Sequence, residues 1–364
     1  MSRTAVKMDT DTIAVSGADD LENHLDQLVI DPTLPLDHKL FDDVELQITD
    51  ANVLPLIPRL LPKITDILKR YQRDPAVLCS LATKLLGPLS FTQVMSLASE
   101  EALLQALRSP APSANLLAMT ILAKAAESPS DAAILAAMKD IITSFLTQWL
   151  SAPEVEVGEK GARVLGDLLD IDSEARPPQG LVVSGVEIAA RKPQGQGFVW
   201  RRIFHDRDVY RLILSLCSSG PHQGAEAGLS SQQLSLAQGR LLRILPRLSA
   251  LNFAALTKTD FPELHQRYGD AEASGGLLHF AALHMIDRAD LLIHLSLVDF
   301  FETFLSIQRI TPFSTYKIDT LRKLYQDATR QDDTLRNAIL SLPERTVPEE
   351  ADELRRFIYD ISTG

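Results

Sequence analysis

Asp74 to Leu86 reads DPAVLCSLATKLL, and its apolar skeleton is Val77, Leu81, Ala82, Leu85 and Leu86. That skeleton returns about every forty residues along the chain. It comes back as Ala114, Ala118, Met119, Leu122 and Ala123 behind Pro112, then as Val157, Gly161, Ala162, Leu165 and Gly166 behind Pro153. A weaker copy runs Ala237, Leu241, Leu242, Leu245 and Pro246. The anchors Leu85, Leu122, Leu165 and Leu245 stand 37, 43 and 80 residues apart, and the last interval fits two units with an insertion.

Degenerate helical units of this period predict an all-α, armadillo/HEAT-like helical-repeat solenoid. Each unit packs on its neighbours, so such a chain escapes the size limit of a single compact core. It offers a long surface for a partner and no ready-made catalytic pocket. The composition agrees. Hydrophobic residues make up 45% of the 364 residues, aromatics only 6%, and Leu and Ala dominate wherever the chain is periodic. Only Gly180 to Ala190, GLVVSGVEIAA, invites a strand reading.

The net charge of −12 argues against direct contact with nucleic acid, which needs a basic face that neutralises several phosphates. The densest basic spots are the pairs Arg201-Arg202 and Arg355-Arg356. Cys79 and Cys217 both lie in apolar helical text, where reduced, buried thiols are expected and neither a disulfide scaffold nor a zinc set is. No signal-peptide core, membrane-length apolar run or glycosylation sequon is read, so the expected compartment is the cytoplasm, and the nucleus as well.

Residues 1–18 are polar and aperiodic, and disorder is expected there. N-terminal helical repeats are placed over 19–170, a Pro/Gly-rich loop over 171–197, and C-terminal helical repeats over 198–360. In the first block, Leu21, Leu25 and Leu28 mark a short helix, DPTLPLDHKLFDD reads as turns, and Ala51 to Tyr71 reads as a proline-kinked helix. Two helices per unit are expected: Pro75–Leu86 with Phe91–Leu107, then Ser113–Glu127 with Asp131–Leu150, with Val155–Leu169 opening a third unit. Beyond the loop, helices are read at Phe198–Leu216, Leu234–Leu248, Leu277–Ile286, Leu291–Ile307, Ser314–Asp327 and Pro348–Asp360, with a second loop over Ser218–Leu229. Leu291–Ile307 is apolar around most of its girdle, which predicts burial between neighbours.

Chemistry is sparse. No phosphate-cradling Gly-x-x-x-x-Gly-Lys loop and no Gly-x-Ser-x-Gly elbow occurs, and no catalytic residue, cofactor-binding residue or metal ligand is assigned. His279, His284 and His294 are five and ten residues apart, which does not stack them on one helical face. The most distinctive stretch is Trp200 to Asp208, WRRIFHDRD. Trp200, Ile203 and Phe204 are spaced as core, with the charged residues around a helix break. Its alternating charges make Arg201, Arg202, Asp206 and Arg207 the candidate protein-contact patch.

Three stretches carry a resemblance: VEVGEKGARVLGDLL at 155–169, FVWRRIFHDRDVYRLILSLCS at 198–218, and LLHFAALHMIDRADLLIHLSLVDFFETFL at 277–305. They resemble the proteasome non-ATPase regulatory subunit five family, whose fungal members carry an older label as DNA mismatch repair proteins. The resemblance covers most of residues 19–360. It implies a curved, non-catalytic monomer without cofactors that binds the C-terminal domain of a proteasomal ATPase of the regulatory-particle base. It further implies that the chaperone leaves before or as the regulatory particle docks, and that neither a membrane nor nucleic acid is a partner. An armadillo-type adaptor or transport scaffold, or a DNA-repair accessory protein, are the alternatives. Armadillo transport grooves repeat Trp and Asn, whereas here neither Trp149 nor Trp200 has an Asn four residues on.

Overall fold

The computed structural model describes residues 15–174, 194–219, 228–269 and 275–363. Among these residues every regular element is helical, giving the all-α helical-repeat fold of the armadillo/HEAT kind. The strand-like stretch 180–190, all but the last few of residues 1–18 and most of both predicted loops lie outside the described residues. The chain divides into two compact units, Met1–Lys124 and Ala125–Gly364. The helices on either side of 171–197 therefore belong to one unit.

In the first unit, α1 (Ala18–Ile30) buries the predicted stripe Leu21, Leu25 and Leu28. The passage read as turns contains a helix, α2 (His38–Gln47). Asp37 caps it by accepting from the Leu40 N–H at 3.1 Å, and Phe41 and Val44, one turn apart, anchor it. The proline-interrupted stretch is one helix, α3 (Ile57–Leu68), that starts beyond Pro55. Pro58 sits in its first turn, where its missing N–H costs nothing, and the buried face of Leu60, Leu61, Ile64 and Ile67 carries it past Pro62. Glu22 of α1 ties the two helices by accepting from Arg59 Nε at 2.8 Å and Lys63 Nζ at 3.0 Å.

The expected second helix of this repeat is split in two after α4 (Ala76–Leu86): α5 (Phe91–Leu97) and α6 (Glu100–Leu107). Ser90 caps α5 in a capping box with Gln93. Ala98 is extended, and Ser99 starts the chain again by accepting from the Ala102 N–H, with Glu100 and Glu101 favourably placed in the first turn. The last helix of the unit, α7 (Pro112–Lys124), packs on α4, while α3 lies on α4 and α6 on α7. Buried Asn115 of α7 holds the end of α6, donating to the carbonyls of Ala106, Leu107 and Ser109 at 3.0, 3.1 and 3.0 Å.

The same splitting recurs in the second unit, so its repeats have three helices where two are expected. The predicted 131–150 helix breaks at Met138 into α8 (Pro129–Ala137) and α9 (Lys139–Ser151), followed by α10 (Val155–Ile171). The next repeat is α11 (Phe198–Phe204), α12 (Arg207–Cys217) and α13 (Ser231–Leu251). Short packs on short (α11 on α8), middle on middle (α12 on α9) and long on long (α13 on α10). The four anchors Leu85, Leu122, Leu165 and Leu245 fall on α4, α7, α10 and α13, and all are buried.

The connection 171–197 is pinned at both ends by Asp172. Its fully buried carboxylate accepts from the N–H groups of Phe198 at 3.2 Å, Val199 at 2.7 Å and Trp200 at 3.2 Å. Gly197 N–H donates to the Asp172 carbonyl at 3.0 Å, and Trp200 Nε1 donates to Leu169 O at 2.9 Å. Burial raises the Asp172 pKa against the pull of these N–H donors.

After α13 come three short elements: α14 (Phe253–Thr257), α15 (Pro262–Tyr268) and α16 (Leu277–His279), which runs on as a π-helical turn, Phe280–His284. The row of long helices then continues with α17 (Leu291–Ile310) packed on α13, followed by α18 (Thr315–Thr329), α19 (Asp333–Ser341) and α20 (Pro348–Ser362). Two readings of α17 need correction. It is long and apolar enough to cross a membrane by length and composition, against the reading of no such run. Its apolar girdle is also not wholly covered. Ile293, Leu297, Phe300, Phe301 and Phe304 are buried inside the unit, while Leu291, Leu292 and Leu295 face out from its first turns. The helix packs on α13 on one side and on α19 and α20 on another, and these three residues of its first turns lie outside that cover.

Candidate functional site

The predicted contact patch occupies the junction between α11 and α12. Asp206 is the N-cap of α12, accepting from the Asp208 and Val209 N–H groups. Its carboxylate also meets Arg202 Nη1 at 2.7 Å and Lys139 Nζ at 3.0 Å. Burial works to raise the Asp206 pKa, but the hydrogen bonds from Lys139 and Arg202 outweigh it and hold the carboxyl below its ordinary value. Arg202 Nε donates to Ala136 O, at the end of α8, at 2.9 Å. Arg202 and Asp206 thus fasten one repeat to the preceding one.

Arg201 and Arg207 are about half exposed. Arg201 lies over the Phe198 ring at 4.6 Å and donates to Gln196 O, and Arg207 Nε meets Glu263 Oε1 at 3.2 Å. The core half of the stretch behaves as its spacing predicts. Trp200, Ile203 and Phe204 are buried, and Trp200 stacks on Phe204 with ring centroids 5.2 Å apart.

His294 goes to different surroundings from His279 and His284, which lie near each other. His294 Nε2 meets the buried Asp332 Oδ2 at 2.8 Å, which also accepts from Arg288. His279 is buried beside the π-turn, and burial pushes its pKa down to about 4. A fourth histidine that the spacing does not single out, His265, is buried against the Tyr210 hydroxyl at 2.9 Å, with its pKa also pushed down to about 4 by burial. Among the described residues no three His, Cys, Asp or Glu side chains converge as a metal set would. Cys79 and Cys217 are free, reduced thiols in the interior, and burial pushes Cys79 up to about 11.

A concave feature lies in the first unit, and no single sequence motif announces it. It is a groove of about 530 Å³ over a floor made by α4 and α7, with α3 on one side and the α5–α6 break on the other. Leu61, Ala82, Leu86, Leu117 and Ile121 are buried in it. Leu97, at the end of α5, stands at the lip with 52% of its surface exposed. Gln105 Nε2 of α6 donates to Lys69 O, just past the end of α3, at 3.2 Å. The charged residues that line the groove are Lys69, Arg73 and Arg108, and no Asp or Glu lines it. A weak signal was present in the sequence: Leu97 lies off the buried stripe of its helix.

Residues 22–158 match the family model described as DNA mismatch repair protein HSM3, N terminal domain. The match runs from α1 into the first turn of α10 and contains every residue that lines the groove. Among curated proteins none matches the chain.

Proposed function

With residues 22–158 carrying the HSM3-family domain, we propose that this protein is an assembly chaperone of the proteasome regulatory-particle base. Its client is the C-terminal domain of a base ATPase, held on the helical-repeat surface until ring assembly proceeds. The family match is the observation that carries this reading, and it bears the same older label that the resemblance of 155–169, 198–218 and 277–305 brings with it. The three-helix repeats support it, since stacked repeats present extended surface without needing chemistry of their own. The protein works as a monomer, without catalysis, in the cytoplasm and the nucleus. An acidic chain of net charge −12 complements a client surface rich in Lys and Arg.

The mismatch-repair label of the matching family favours a second reading, a DNA-repair role. The charge balance opposes direct duplex contact, so that reading requires a protein intermediary. The test is purification of the tagged full chain from its native cell, with mass spectrometry of what accompanies it. A subset of base ATPases without core-particle subunits supports the chaperone. Mismatch-repair proteins without ATPases would overturn it. Pull-downs with separately expressed ATPase C-terminal domains then identify the client.

A further inference from the structure

We propose that the groove of the first unit is a docking site for a short amphipathic helix of a partner protein, apolar on the inserted face and carrying carboxylates along its flanks. Three observations converge on that occupant. The lining is mainly aliphatic, with Thr65, Gln72, Gln105 and Ser109 among its polar members, and Leu97 presents half its surface at the lip, so apolar side chains gain burial by entering. A volume of about 530 Å³ has room for the few anchor side chains that a helix offers along one face.

The second observation is the layer in which the groove lies. In the second unit, the middle helices α9 and α12 pack directly on one another. In the first unit, α3 and α6 flank the groove instead and are bridged by Gln105 and Lys69, so a partner helix would lie over the groove with only its anchor side chains entering.

The third is charge. The groove's ionic residues are all cationic, in a chain of net charge −12. They come from three places: Lys69 after α3, Arg73 in the α3–α4 link, and Arg108 at the end of α6. Lys69 already pairs with Asp66 at 3.1 Å, and Arg108 also has a partner within the chain, so Arg73 is the groove cation for which no ion pair is described. Cations spread along a rim meet several carboxylates of a segment, whereas a fatty acid brings one head group. Arginine is suited to this because its planar fork takes a carboxylate with two parallel bonds. The surrounding acidic surface repels strongly acidic proteins as a whole, so selection falls on a local acidic-apolar helix.

The probe is a fluorescein-labelled synthetic helix with leucines on one face and glutamates on the other, titrated by anisotropy with the full chain. Its counterpart replaces every glutamate by lysine. The acidic peptide is expected to saturate and the basic one not to. Arg73→Glu with Arg108→Glu should weaken the acidic peptide at least about tenfold. Ala102→Trp, which fills the groove from α6, should do the same without changing any charge. Circular dichroism and melting keep the comparison to folded protein, and Arg73→Glu alone serves if the double variant unfolds.

Equal binding of both peptides, or unchanged binding by all variants, overturns the proposal. So does displacement of the peptide by oleate at the same site, which would make it a fatty-acid groove. The assay contains no proteasomal protein, so its failure leaves the chaperone reading standing, and failure of that reading leaves the groove standing.

Discussion

Gly158 and Arg240 are fitted against each other: a Cβ on Gly158 would overlap the Arg240 guanidinium. That guanidinium closes the end of α9, its Nη1 donating to the carbonyls of Trp149 at 2.9 Å, Leu150 at 3.2 Å and Ala152 at 2.6 Å, and its Nη2 to Glu154 O at 2.9 Å. Further along α10, Gly161 faces Trp149 and Gly166 faces Arg247. The glycines of VEVGEKGARVLGDLL are therefore places where α9 and α13 come close. Each costs about 1 kcal/mol of helix propensity, which this packing offsets.

Alanine substitutions at these glycines should rank by how far the opposing group can move. Gly161→Ala meets the ring and Cβ of buried Trp149 and should cost about 2–4 kcal/mol. Gly158→Ala should cost a similar amount by displacing Arg240 from its four carbonyls. Gly166→Ala meets only the tip of half-exposed Arg247 and should be near neutral. Urea unfolding checks the order. A double-mutant cycle of Gly158→Ala with Arg240→Met should show the two costs overlapping.

Within the charged stretch, stability and surface function should separate. Asp206→Ala removes a helix cap and two cationic partners together, and should destabilise by about 2–3 kcal/mol. Arg207→Glu, half-exposed, should change the melting temperature little. Client binding is then informative at Arg201 and Arg207, and a loss at Asp206 reports unfolding unless the melt is intact.

Acidification should weaken the second unit well above the carboxylate range. His265 and His279 are held neutral, with pKa values near 4 against 6.5 in an unfolded chain. Between those values the unfolded chain binds protons that the folded chain refuses, so stability falls as pH drops from about 6.5 towards 4, by a few kcal/mol if both groups act. Urea midpoints at pH 7.5 and pH 5 measure it, and His265→Gln should flatten the difference. A midpoint that does not move with pH would show that these side chains are solvated.

Buried Lys317 is the C-terminal stop of α17. Its Nζ donates to Gln308 O at 2.7 Å, Thr311 O at 3.1 Å, Thr311 Oγ1 at 2.6 Å and Pro312 O at 3.3 Å. Lys317→Met keeps the stem but strands these oxygens, at a cost of about 2–4 kcal/mol. Burial also pushes the amine's pKa down to about 8, so the wild type should gain stability as pH rises from about 8 to 10.5, and the variant should lose that slope.

The long helices were legible because a seventeen-residue α10 or a twenty-one-residue α13 repeats its apolar stripe several times. The breaks were not. At Ala98-Ser99 the apolar spacing runs through unchanged, and only the serine and the two glutamates behind it mark a restart. At Met138 no capping side chain marks the break at all. The α2 helix was hidden by the prolines ahead of Asp37, since Phe41 and Val44 give only one turn of signal. The Trp200 stretch was half legible: its core spacing was plain, but whether Arg202 faced a partner or the preceding repeat depended on Ala136, far away in sequence. The groove belongs to no single segment, because α3, α4, α5, α6 and α7 each supply part of it.

The clamp at Asp172 separates the length of what it encloses from the stability of the repeats on either side. With Gly197, Val199 and Trp200 tied back to Asp172, the α10–α11 geometry is set by that carboxylate and its neighbouring carbonyl. Doubling the span between such anchors costs only about 0.6 kcal/mol of closure entropy. The pinning of α10 to α11 is therefore carried by the contacts at Asp172 itself and does not depend on the length of chain between the two anchors.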